Sequence, residues 1–310
     1  MQVLLEKEII PSPLNYIGGK FKLLPQILPL FPKISGTFVD LFCGGCNVGI
    51  NVNANKVVLN DIDLNLLYLY NTFRNMDKDV MLEMIDGIIE KYGLSRSDIH
   101  GYGYYGCESS KGLGSFNKEP FLKLREDFNK YKHPDYYYYA MLYILIVYSF
   151  NNQIRFNNNR EFNLPVGKRD YNTKMQEKLS DFIDRLKDGN FVITSIDFEN
   201  FSLDVYDKDD FIYADPPYLI TCATYNEQDG WNENRERALH SFLDKADNQG
   251  IRFALSNVLR SKGKENRILI DWVDSNPKYR AIPLEYSYSN SNYQTKDKSS
   301  ASEEVLIVNY

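Results

Sequence analysis

Short apolar runs that stop at an acid, a glycine turn or a proline set the rhythm of this chain. Residues 37–42, "TFVDLF", have the length and content of a buried strand, and "CGGCNVG" turns them into a helix start. "KVVLNDID", residues 56–63, is a second such strand ending in acids, and "LNLLYLYNTFRNM" continues as a helix. Strand, turn, helix, strand is the order of a parallel α/β sheet. The rhythm then breaks. Residues 80–190 read as mainly helical, interrupted by the Gly/Ser/Tyr-rich "HGYGYYGCESSKGLGSFN" and the Asn-rich "FNNQIRFNNNREFNLPVGK". Strands resume at "FVITSIDF", "DFIYADPPY", "IRFALSN" and "EEVLIVNY". The pattern predicts an α/β domain made of residues 1–75 and 190–310, interrupted by a mainly helical domain over 76–189. Loops are expected at 100–118 and 287–302. Near the N-terminus, "LNYIGGKFKLLPQILPLFP" reads as a Gly-Gly turn followed by a Pro-interrupted amphipathic helix.

"DPPY" closes one of the strands. Proline cannot donate to a sheet ladder, so the strand stops there. The turn fixes Asp215 and Tyr218 at the strand's carboxyl end, where open α/β sheets place their ligands. An ordinary strand exit is the competing reading of these four residues.

Composition narrows the class only a little. The chain has 310 residues, 43% hydrophobic and 25% charged, as in ordinary globular proteins. The 24 Tyr and 18 Phe raise the aromatic share to 14%, enough for cores and for stacking on ligands or bases. The net charge of −6 does not itself point to nucleic acid, although a whole-chain charge can hide a local basic face. Residues 136–153 are too rich in Tyr and Asn for a membrane span, which needs about 20 apolar residues. They read instead as a buried helix running into a polar loop, with "YYYY" at 136–139 as helix and core. Cys43, Cys46, Cys107 and Cys222 are too sparse for a disulfide framework, and no secretory pattern opens the chain, so a cytoplasmic protein is expected.

"DLFCGGCNVG" can be tested against three templates. As a phosphate-binding loop it puts Ile50 where the lysine belongs. As a dinucleotide fingerprint it has Cys46 in place of the middle glycine. As a Cys-x-x-Cys metal site it has no second pair, and His100, His133 and His240 are scattered, so no metal is expected. What remains is a glycine turn with Asp40 on its strand and Asp61 ending the next one. An acid roughly 20 residues beyond such a turn is placed to grip ribose hydroxyls. Without a phosphate cradle, the expected ligand is a nucleoside lacking pyrophosphate.

"NYIGGK", "DLFCGG", "NDID" and "DPPY", in this order with an insertion before the last, resemble the Dam-type (class alpha, D12) DNA adenine-N6 methyltransferases. "LREDFNK" and "YSFNNQIRFNNNREFNLPVG" in the insertion resemble that family's target-recognition segment, and the likeness runs to "EVLIVNY". The resemblance implies the methyltransferase fold, a parallel-rich sheet with helices on both faces, and S-adenosylmethionine as cofactor. Carried over by position, Tyr16, Gly18 and Lys20 match the N-terminal cofactor motif. Phe42, Gly44 and Gly45 would face the methionine part with Asp40 beside them. Asp61 would hold the ribose, Ile62 would pack on the adenine ring, and Asp197 and Phe198 would bind its edge. Phe42 and Ile62 could equally be plain core.

The resemblance gives DPPY its task. Asp215 and the Pro216 carbonyl would accept the amino hydrogens of a flipped adenine, Pro217 would stiffen the turn, and Tyr218 would stack on the base. In the insertion, Phe150 could wedge into the vacated stack. Asn151 and Gln153 could pair with exposed base edges, Arg155 could read a guanine, and Asn157 is a further DNA-binding candidate. Lys168 and Arg169 could hold phosphates. The expected partner is double-stranded DNA, methylated within GATC as the family often does. No membrane is expected, and the protein would act as a monomer, beside a restriction endonuclease if it belongs to a restriction–modification pair. Cytosine-N4 or RNA methylation on the same fold, and an inactive DNA-binding homologue, stay open.

Overall fold

The computed structural model describes residues 9–16, 18–221, 230–285 and 302–310. The chain forms two compact units, residues 1–19 with 64–189 and residues 20–63 with 190–310. In the second unit, single helical turns at Phe21–Leu23, α1 (Leu24–Ile27) and Leu28–Leu30 follow Lys20. Two prolines, near the start of α1 and of the last turn, keep these pieces short. The strands are β1 (Thr37–Asp40), β2 (Lys56–Asn60), β3 (Phe191–Thr194), β4 (Phe211–Ala214), β5 (Arg252–Ser261), β6 (Lys264–Glu265), β7 (Arg280–Pro283) and β8 (Glu303–Val308).

They form one sheet in the order β3-β2-β1-β4-β5-β8-β7, with β6 paired to β5. β3, β2, β1, β4 and β5 are parallel, whereas β8 runs antiparallel to both β5 and β7. This is the parallel-rich sheet that the apolar runs predict. From β1 the chain moves outward to β2 and β3, then returns to place β4 on the other side. The carboxyl ends of β1 and β4 therefore flank the point where strand order reverses, which is the ligand crevice of open α/β sheets. β7 is an addition to the sequence reading. Its four residues are mostly exposed and end in Pro283, so they carry no buried-strand pattern.

The other unit carries α2 (Leu64–Asn75), α3 (Lys78–Tyr92), α4 (Ser97–Tyr104), α5 (Gly114–Lys130), α6 (Tyr136–Tyr148) and α7 (Thr173–Asp188). Side-chain caps set several starts: Asp77 accepts from the Asp79 and Val80 N–H groups, Asp135 from Tyr138 N–H, and Asn172 from Met175 N–H. α6 is buried from Tyr139 to Tyr148 and forms the unit's central helix, while Tyr136 stays exposed. α2 packs here through Tyr70 against Phe182, at 5.5 Å between ring centres, and Phe73 against Tyr143, also at 5.5 Å. Those contacts group residues 64–75 with the helices. The loop expected at 100–118 is narrower than its composition suggests. α4 reaches Tyr104 through a kink at Gly101, and the His100 and Tyr104 rings, one helical turn apart, stack at 4.6 Å. Residues 287–301 of the second expected loop lie outside the described residues.

α8 (Glu233–Asn248) and α9 (Arg267–Ser275) complete the sheet unit. Leu239, Leu243, Ala246 and Leu269 from these helices share a core with Val39, Ile212, Leu255 and Ile307 of the strands. Side chains alternate along a strand, so Phe38 and Phe211 face the opposite side, where Phe31 meets them at 5.7 and 5.0 Å. Among the described residues, no helix is long and apolar enough to cross a membrane.

Candidate active site

Three acids leave the sheet at neighbouring strand ends. Asp40 is the last residue of β1 and fully buried; its Oδ2 accepts the Gly49 N–H at 2.9 Å. A side chain on Gly49 would put its first carbon 2.4 Å from Leu59 and 2.9 Å from Asp40 Oδ2, so only glycine fits. Asp40 Oδ1 is buried without a hydrogen-bond partner. Burial pushes the carboxyl up to about 8, against the Gly49 N–H. Asp61 follows β2 and closes the glycine turn, its Oδ2 accepting from Gly44 N–H at 2.9 Å and its Oδ1 from Asp63 N–H at 3.0 Å. Gly44 has φ +44°, a conformation that costs a side-chain-bearing residue strain. Burial raises the Asp61 carboxyl too, opposed by these N–H donors.

Asn60 holds this end of the sheet together. Its side chain donates to Leu41 O at 3.0 Å and Ile196 O at 2.9 Å, and accepts from Ile196 N–H and the Thr194 hydroxyl. The exits of three parallel strands are thereby tied to one buried amide.

Asp215, just past β4, sits in a network. Lys20 Nζ lies 2.9 Å from Asp215 Oδ1 and 3.6 Å from Glu304 Oε1, with only 5% of its side chain exposed. The Tyr218 hydroxyl lies 3.1 Å from each of those same two oxygens, and the Lys20 ammonium stands 4.9 Å from the centre of the Tyr218 ring. Burial raises both carboxyls, while Lys20 pulls both down. Pro216 is buried and Pro217 half-buried. Lys20 and Asp215, read from two motifs far apart in sequence, thus form one ion pair.

An aromatic group flanks the glycine turn. Phe42 packs on Phe198 at 5.5 Å and edge-on to Trp231 at 5.7 Å. Phe198 is buried, and the Arg235 guanidinium covers it at 4.4 Å. Asp197 is bidentate to Arg235, with both contacts at 3.0 Å, and caps the turn after β3 by accepting Glu199 N–H. Trp231 Nε1 donates to the fully buried Glu236, which also accepts from Asn266 and Asn257. Ile62 is not core: 66% of it is exposed, beside a buried acid.

The D12 class N6 adenine-specific DNA methyltransferase profile matches residues 16–295. The chain belongs to this family. It is 42% identical over 307 residues to the type II methyltransferase M.FokI of Planomicrobium okeanokoites, covering 97% of this chain and 43% of that protein. It is 40% identical over 313 residues to the modification methylase StsI of Streptococcus sanguinis, covering 98% of this chain and 43% of the relative. A DNA adenine methylase of Haemophilus influenzae is 28% identical over 207 residues, 66% of this chain and 63% of that one. The chain therefore spans less than half the length of the first two relatives.

Two residues matching the D12 motif's N-terminal part fall in the helical unit. There Tyr16 O accepts Gly19 N–H at 3.1 Å and Gly18 takes φ +77°, while Lys20 opens the sheet unit. The segment resembling the D12 recognition region is a hydrogen-bonded excursion from α6. Phe150 N–H donates to Pro165 O at 2.9 Å, Gly167 N–H to Tyr148 O at 2.7 Å, and Phe156 bridges Phe162. Gly167 is needed for this closure, because a side chain would begin 2.2 Å from Ser149 O. Phe150 is 51% exposed, and Asn151 is exposed with φ 56°. The half-buried Gln153 accepts the Ser149 hydroxyl at its backbone carbonyl. Arg155 donates through Nε to Asn163 Oδ1 at 2.8 Å and through Nη2 to Asn163 O. Asn157 is spent internally, accepting from Asn159 and Glu161 N–H and donating to the Glu161 carboxylate. Lys168 and Arg169 are exposed, next to the buried Asp170, which accepts from Ser95 and twice from Ser97.

Glu304, Asn60 and Gly49 lie inside motifs that the sequence picks out but are not singled out there as site residues, and the Arg235–Trp231 pair falls outside those motifs. Glu304 had one signal: an acid opening an otherwise apolar strand.

Proposed function

We propose that this protein methylates the N6 amino group of a flipped adenine in duplex DNA, with S-adenosylmethionine as donor. The observation that carries the reading is the Asp215 carboxylate at the exit of β4, gripped by Lys20 and Tyr218 on the same oxygen. Both contacts fall on Oδ1, which leaves Oδ2 to accept an amino hydrogen. The amino lone pair, otherwise delocalised into the ring, then turns outward, and charge growing on nitrogen meets a fixed carboxylate. The buried turn also holds the nitrogen in line, which supplies much of the remaining acceleration. Tyr218 stacks on the base from beneath the Lys20 ammonium.

The cofactor fits the other strand ends. Asp61 holds the ribose hydroxyls with the lone pairs that its contacts to the Gly44, Ile62 and Asp63 N–H groups leave. The exposed Ile62 covers one face of the adenine ring. Phe42, Gly44 and Gly45 line the amino-acid end, with Asp40 behind them. Asp197 meets the adenine edge with its remaining lone pairs, and Phe198 supports Phe42 from below. Tyr16 and Gly18 shape the turn that delivers Lys20. S-adenosylmethionine, when bound, supplies an electrophilic methyl group.

Recognition falls to the excursion from α6: Phe150 as wedge, Asn151 and Gln153 at exposed edges, Arg155 on a guanine, Lys168 and Arg169 on phosphates. Asn157 organises the turn. GATC is the first target to test, and the M.FokI and StsI names favour a modification enzyme that acts beside an endonuclease. The test is to incubate the protein with unmethylated genomic DNA and labelled S-adenosylmethionine, digest to nucleosides and identify the product by mass spectrometry. N6-methyladenine is expected; N4-methylcytosine or a labelled RNA base would move the reaction, and no transfer would remove it.

A further inference from the structure

The contacts between Asp215, Tyr218 and Glu304 raise a proton count. The tyrosine oxygen lies 3.1 Å from a carboxylate oxygen on each side. Two such oxygen–oxygen contacts need two protons between them, and the phenol supplies one. With both carboxylates ionised, one contact would set lone pair against lone pair in a buried site, where an unmade hydrogen bond costs about 1–3 kcal/mol. The second proton must therefore sit on a carboxyl. Lys20 decides which: its ammonium is at 2.9 Å from Asp215 but 3.6 Å from Glu304, so it holds Asp215 as the anion.

We infer that Glu304 is a neutral carboxylic acid that donates to Tyr218, turning the tyrosine hydroxyl toward Asp215 and leaving Asp215 as the anion that Lys20 grips. Its role is that of a positioning residue, and it deepens the proposed reaction, on which its consequence for rate rests. The antiparallel register carries it there: Glu304 pairs with Val258, beyond the level at which Leu255 meets Ala214, the residue before Asp215. Among the described residues, the titratable groups facing it are Lys20, Asp215 and Tyr218, with Tyr213 from β4 further off. Burial and the neighbouring Asp215 charge oppose its ionisation, while Lys20 and the Tyr218 hydroxyl favour it, and burial is the largest of these. Ionising Glu304 would put a second anion on Lys20 and let Tyr218 turn away from Asp215.

Glu304→Gln tests this, because the amide keeps a donor toward Tyr218 and cannot ionise. Single-turnover methylation of unmethylated genomic DNA should fall only a few-fold at pH 7 in Glu304→Gln and lose the alkaline decline of the wild type. Glu304→Ala, which strands the tyrosine oxygen, should fall by about tenfold or more. Infrared difference spectra between wild type and Glu304→Gln should show the carbonyl stretch of a neutral carboxylic acid at pH 7, fading as pH rises. A Gln variant as inactive as the Ala variant, or one with an unchanged pH profile, would overturn the inference, as would the absence of the neutral-acid band. If the wild type methylates no DNA, the functional reading fails while the infrared titration still decides the protonation of Glu304.

Discussion

The two units hold their candidate residues in opposite ways. In the sheet unit Lys20, Asp40, Asp61 and Glu304 are all less than a tenth exposed, and each contact is made to another fixed group of the same sheet end. In the helical unit Phe150, Asn151, Arg155, Lys168 and Arg169 are exposed, and what is fixed is the backbone beneath them. Buried ionisable groups survive only with partners and geometry set in advance, which suits chemistry on one atom. Exposed side chains on a closed frame suit a surface that acquires its contacts with its partner. Breaking the first should abolish a rate; breaking the second should blur a choice.

The largest effect should come from Asp215→Asn. The amide keeps the size and cannot carry the charge that faces Lys20 and the amino group. Methyl transfer should fall by about three orders of magnitude, in the range of lost transition-state electrostatics, while cofactor and DNA binding persist. A near-normal single-turnover rate would make Asp215 a structural counterion of Lys20 alone.

Arg155→Ala should cost about 1–3 kcal/mol on the cognate site and relax discrimination at one guanine. Lys168→Ala or Arg169→Ala should instead weaken all DNA alike and lower the salt slope by about one unit. Competition among single-base variants of the methylated site, at fixed salt, separates the patterns. Uniform weakening by Arg155→Ala would make it a phosphate contact and move the reading head elsewhere.

What was legible in the sequence follows the same divide. Apolar runs marked six strands plainly, five of them mostly buried and β3 half-exposed at the sheet edge, and the acids at their ends stood out because nothing apolar explained them. β7, exposed and ending in proline, wrote nothing. Asp40, Asp61 and Asp215 sit in short local motifs, whereas Glu304 reaches Tyr218 across 86 residues through antiparallel pairing, and register is not a local property. The Asp197–Arg235 pair is hidden for the same reason, being made across 38 residues. Ile62 could not be separated from core by its letter alone; its exposure separates it.

Asp61→Ala should weaken S-adenosylmethionine at least tenfold, roughly 1.4 kcal/mol, as measured by calorimetry without DNA. The substitution also frees the Gly44 and Asp63 N–H groups that the carboxylate now holds. Asp61→Asn can still accept at one oxygen, so it should fall between wild type and the Ala variant. Unchanged affinity in both would remove Asp61 from the cofactor's ribose.

The last effect concerns stability, not activity: Asp40 and the helical unit's Asp98 respond to pH in opposite directions. Its carboxyl lies near 8 in the folded protein, above the 3.8 of an exposed acid. Between those values the native state binds a proton that the unfolded chain has released. The stabilisation is complete below pH 3.8 and is lost as pH rises toward 8, by at most about 1.4 kcal/mol per pH unit. The helical unit's Asp98 works the other way. Burial lifts it, but Arg96 and Gln176 outweigh burial and leave it low, so its contribution is lost only in acid. Asp40→Asn keeps an acceptor for Gly49 N–H, puts an uncharged amide where Oδ1 has no partner, and removes the titration. Between pH 5 and 8 the wild type's melting temperature should fall a few degrees further than the variant's. Asp61 and Asp215, raised in the same direction, remain in both proteins, so the difference reports Asp40 together with its coupling to them. Parallel melting curves across that range would mean that Asp40 is already ionised beneath the glycine turn, and the buried orphan oxygen would then have found a donor.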